Sequence, residues 1–175
     1  KRVTMFRSIP YIGITIVLLF LQIFILDELS IAMWLRPMLF PLIVMLLPME
    51  WRTIWVMLSA LVVGVIMDVS LGGAGLYTAT LLPLAVMRRW ILYVTTHRSV
   101  ESGDQTSLLS RMSLRQLMIY VAAMFVLHHS LFFILETLSF VTPLRLVATI
   151  VLSSLLSLVI SWPILRLFIS KIVTK

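Results

Sequence analysis

Cysteine is absent from the chain. That excludes disulfide staples, thiolate nucleophiles and cysteine ligands for a metal. Acid is scarce, with seven Asp and Glu against fourteen Lys and Arg. Charged residues of both signs reach only 12%, about half of what a water-soluble domain carries. Glycine is scarce too, six in all, yet three of the six crowd between Gly72 and Gly75. No catalytic motif is present, and the H-E-x-x-H pattern of helical zinc enzymes is missing.

What is present is apolar sequence. Apolar residues make up 61% of the chain, and the mean hydropathy is +1.12. Long apolar runs carry that excess, which identifies an all-α integral membrane protein. Six spans of about 20 residues would use roughly 120 of the 175 positions. The rest makes short loops and tails, so residues 1–175 read as one membrane domain. The net charge of +7 does not point to nucleic acid, because the basic residues lie between and beside the spans, facing lipid headgroups. The basic start, Lys1-Arg2-Val3-Thr4-Met5-Phe6-Arg7, resembles a signal peptide, but no small-residue cleavage site follows. It is read as a retained first helix.

The spans are expected at about 11–26, 38–49 or 31–49, 53–71, 76–94, 115–138 and 146–173. The second is the awkward one. Twelve residues holding Pro41 and Pro48 cannot cross a ~30 Å core as a straight helix. It either begins earlier, near Ile31, or is kinked or tilted. Thr95 to Leu114 is the one long polar loop. With both termini in the cytoplasm, twelve of the fourteen basic residues fall inside and only Arg36 and Arg145 outside, as the positive-inside rule requires. Arg88 and Arg89 are then expected to snorkel to the cytoplasmic interface.

The polar residues inside the spans are the candidate sites. Asp68 stands about 22 Å along its span, near the helix C-terminus, where the macrodipole disfavours an acid. It needs a partner, and the candidates within the chain are Arg36 and Arg145, with another chain as the alternative. Ala60 and Gly64 continue the Asp68 face as a small-residue stripe that lets a helix approach closely. Gly72 and Gly75 make the turn that follows, and Tyr77 closes it. These six, Ala60, Gly64, Asp68, Gly72, Gly75 and Tyr77, form the expected partner-binding surface. Gln22 reads as a helix–helix hydrogen bond. His128, His129 and Glu136 offer either bundle-facing hydrogen bonds or the lining of a polar cavity. His129 and Glu136 are two turns apart and cannot touch, and adjacent histidines point about 100° apart. No metal site and no cofactor is expected.

The pattern resembles the MreD family of small bacterial rod-shape-determining membrane proteins. The resemblance rests on Leu21-Gln22 ending the first span, Arg36-Pro37 opening the second, and Gly64-x-x-x-Asp68-x-x-x-Gly72 followed by Gly75-Leu76. It covers most of the chain in layout and about 15 residues in motif. The His128-His129 pair has no counterpart in it. What the resemblance implies is a non-enzymatic scaffold of the bacterial inner membrane. Its partners would be MreC, a single-span protein with an extracytoplasmic domain, and the elongation machinery of MreB, RodA and a class-B penicillin-binding transpeptidase. The implied process is peptidoglycan synthesis along the cell wall, and hence cell shape. The alternative is a substrate-binding membrane subunit like the six-helix S components of vitamin transporters. It would need a polar cavity lined by Asp68, His128, His129 and Glu136. An intramembrane enzyme would need a nucleophile and base, or a metal set, at one depth.

Overall fold

The computed structural model describes residues 3–27, 35–48, 51–96, 112–137 and 143–173. Most of the polar loop and most of the connection after the first span lie outside the described residues. The helices are α1 (Val3–Leu21), α2 (Pro41–Leu46), α3 (Thr53–Leu71), α4 (Leu76–Thr96), α5 (Leu114–Glu136) and α6 (Pro143–Val173). A single π turn, Gln22–Leu26, extends α1. Among the described residues all regular structure is helical.

Among the described residues, three helices are long and apolar enough to cross a bilayer: Thr53–Leu71, Leu114–Glu136 and Pro143–Leu167. The distribution of side chains fits that solvent. Val69 and Leu144 are about four-fifths exposed. Gln22, Arg88, His128, His129, Ser153 and Ser157 are buried. An apolar outside over a partly polar inside is the arrangement that lipid favours and water does not.

α3 packs on α4, α4 on α5, and α5 on α6. The α3–α4 hairpin shows why its sequence folds as it does. The residue Gly72 ends α3 in the left-handed conformation at φ 68°, and the amide of Gly73 bonds back to the Asp68 carbonyl at 3.0 Å, closing the helix end. A Cβ on Gly64 would stand 2.7 Å from Thr78 Cα. Glycine there lets the α4 backbone lie directly against α3.

Expected and observed spans agree at 53–71. α1 begins eight residues earlier than its expected start. The second span is different in kind. Among its described residues the one helix is Pro41–Leu46, all six residues buried, and the backbone from Arg36 to Leu39 is not helical. Extended residues advance about twice as far as helical ones. Non-helical residues on either side of α2 can therefore carry the chain further than the same number of helical residues would. α2 and this lead-in lie in the middle of the bundle, touching α1, α3, α4 and α5.

Candidate functional site

A non-helical backbone inside an apolar bundle needs a partner for each amide and carbonyl. The chain supplies several of them from four helices. The side chain of Gln22, turned inward on the π turn, donates from Nε2 to the Pro37 carbonyl at 3.4 Å. Its Oε1 accepts the amide of Leu39 at 2.6 Å. From α6, Ser153 Oγ accepts the amide of Arg36 at 3.4 Å, and Ser157 Oγ accepts that of Met38 at 2.9 Å. The far end is held from α4 and α5. Arg88, only 3% exposed, donates from Nη1 to the Pro48 carbonyl at 3.4 Å and from Nη2 to that of Leu47. Tyr120 donates to the Met45 carbonyl at 3.4 Å and accepts from Arg88 Nε at 3.4 Å. Arg88 thus does not reach for an interface. Buried carbonyls at the end of α2 hold it inside, where a guanidinium fork can serve two acceptors at once.

His129 continues this network. Its Nδ1 lies 2.8 Å from the Phe125 carbonyl. A carbonyl can only accept, so Nδ1 carries the proton and Nε2 of the neutral ring is an acceptor. Ser157 Oγ, 3.3 Å from Nε2, donates to it while accepting from Met38. His128 turns another way, against Phe40 at a centroid distance of 5.0 Å and nearly perpendicular. It is fully buried, and neither of its ring nitrogens has a hydrogen-bond partner among the described residues.

Asp68 has a partner other than the two arginines expected for it. Its Oδ1 accepts the amide of Tyr77 at 3.0 Å. Its Oδ2 accepts the amide of Thr78 at 2.9 Å and the Thr78 hydroxyl at 2.6 Å. These amides are in the first turn of α4, so an acid misplaced at the C-terminus of its own helix caps the N-terminus of the next. Arg36 pairs instead with Glu136, 2.8 Å apart on the exposed rim, and Arg145 is exposed on α6. The small-residue stripe is likewise taken. Ala60 is fully buried, and Gly64 lies under Thr78, so the helix that the stripe receives is α4 of the same chain. Of the expected surface, Gly72 and Gly75 remain exposed in the turn, and Tyr77 is buried.

His129 and Glu136 are held apart, one by Ser157 and the other by Arg36. Sequence reasoning missed Tyr120, and it missed the part that Arg88, Ser153 and Ser157 play in holding residues 36–48; Ser153 and Ser157 read there only as a small, hydrogen-bonding packing surface. The available signal was a proline-flanked apolar run too short for a helix, whose backbone would need polar side chains from elsewhere.

Three distant stretches meet here. Gln22 holds Pro37 and Leu39. Next in the chain, Phe40 meets Tyr77 edge-on at 5.5 Å. The amide of Tyr77 rests on Asp68. No protein-family model, curated protein or solved structure matches the chain.

Proposed function

We propose that this chain is a non-enzymatic scaffold of the bacterial inner membrane, similar in role to MreD. It would hold a single-span, MreC-like partner within the elongation machinery of MreB, RodA and a class-B transpeptidase, in support of peptidoglycan synthesis and cell shape. One observation carries the reading. Gln22, Arg36-Pro37 and the Gly64–Asp68–Gly72 run, the stretches on which the resemblance rests, are far apart in sequence and form one connected cluster in space. Gln22 and Asp68 within it, and Arg88 and Tyr120 beside it, direct their side chains to the chain's own backbone. Among the described residues, the lateral apolar surface and the exposed turn at Gly72–Gly75 are left to offer a partner.

In this reading the chain crosses the membrane six times with both termini cytoplasmic. Residues 36–48 form the second crossing, with the short helix α2 flanked by non-helical chain. Arg36, Glu136 and the 72–75 turn then lie on the outer side, and Arg52 and Arg88 on the inner.

The test is purification from the native membrane in mild detergent, with mass spectrometry of what stays bound. The scaffold reading expects a stoichiometric single-span protein with an extracytoplasmic domain. A retained water-soluble metabolite with no protein partner would overturn it in favour of a transporter subunit.

A further inference from the structure

Between α1 and α3 lies an open groove of about 850 Å³. Ile12 and Ile16 wall it on one side, Leu58 and Val62 on the other, with Ile43 and Leu47 as its floor. Two hydroxyls also line it, and both bond to their own helices: Thr15 Oγ1 donates to the Tyr11 carbonyl at 2.8 Å, and Ser59 Oγ to the Trp55 carbonyl at 2.9 Å. The interior therefore presents apolar surface to an occupant. One end is different. Trp51 and Trp55 stand exposed there, and the side chain of Arg52, also in the lining, is exposed. The described acids Asp27, Asp68 and Glu136 belong to other parts of the chain: the end of the π turn, the cap of α4 and the pair with Arg36.

We infer that this groove is a binding site for an anionic phospholipid, its acyl chains lying along α1 and α3 and its phosphate at Arg52. The charge pattern selects this occupant. A transmembrane helix with no headgroup would fill the apolar part and leave the guanidinium without a match among the described acids, whereas an anionic amphiphile matches both ends. Arginine forks suit phosphate oxygens, and tryptophans sit at headgroup depth. The inference needs only a membrane-embedded chain and is independent of the scaffold reading.

The full chain, delipidated in detergent, would be titrated with phosphatidylglycerol and with phosphatidylcholine of the same acyl chains, and occupancy read by native mass spectrometry. The expected preference for phosphatidylglycerol is about five-fold, from one headgroup charge contact. Arg52→Gln should remove the preference and keep the binding. Val62→Trp, which fills the groove, should remove binding of both lipids. Val69→Trp, on the outward face of the same helix, controls for folding and should bind as the wild type does. Equal retention of the two lipids by the wild type would overturn the proposal. So would undiminished occupancy in Val62→Trp. Loss of a co-purifying single-span protein from Val62→Trp with lipid unchanged would also overturn it and give the groove to a helix.

Discussion

Asp68 shows how position changes what a side chain does. Its acceptors reach two amides and a hydroxyl of α4, so its contribution is that of a cap. Asp68→Ala should cost about 1–2 kcal/mol, and Asp68→Asn less, read as thermal unfolding in detergent. Gly64 and Gly13 make an opposed pair. A Cβ at Gly64 meets the backbone of Thr78, while one at Gly13 meets nothing within 4 Å. Gly64→Ala should lower the melting temperature by an overpacking cost of roughly 1–3 kcal/mol, and Gly13→Ala should leave it unchanged or raise it. The two histidines differ likewise. His128→Phe removes buried polar atoms that have no described partner and should be neutral or stabilising. His129→Phe breaks the bonds to Phe125 and Ser157 and should destabilise by about 1–3 kcal/mol. A larger loss at His128 than at His129 in the same melts would contradict this.

At the scale of elements, the lead-in to α2 depends on side chains for bonds that a helix makes within itself. Gln22→Leu should raise amide exchange at Leu39, and Ser157→Ala at Met38, with α3 amides unaffected. Arg88→Met should cost about 2–3 kcal/mol, the range for bonds to a charged donor. The same bonds explain what could be read in advance. α3, its glycine turn and α5 were legible because apolar runs are bounded there by glycine or charge. Residues 36–48 were legible only as too short. An extended passage leaves no period in an all-apolar run, and its acceptors at Ser153 and Ser157 lie 117 and 119 residues away. Arg88 pointed outward in the sequence because its true partners are carbonyls, and a carbonyl has no residue identity to read. The partner of Asp68 was hidden for the same reason, since amides at a helix start look like any others. The Ala60–Gly64 stripe was legible as a helix-receiving face, and the structure supplies α4 as the helix received.

For the whole molecule, orientation is the property that a simple measurement can check. The chain has no cysteine, so one introduced residue reports alone. Ala74→Cys, in the α3–α4 turn, should react with a membrane-impermeant maleimide applied from the periplasmic side. Leu114→Cys, at the start of α5, should react only after the membrane is opened. The reverse pattern would invert the proposed topology.

The bonds from α6 to residues 36–38 also constrain how the protein is made. Arg36 and Met38 leave the ribosome more than a hundred residues before the serines that hold their amides. Until α6 is synthesised, the amides of Arg36 and Met38 lack the acceptors that hold them in the finished bundle. The core is completed once α6 is made, with α6 as its closing piece. A nascent chain arrested before Ser153 should therefore be open to proteolysis near residue 38, and one released after Ser157 should be closed there.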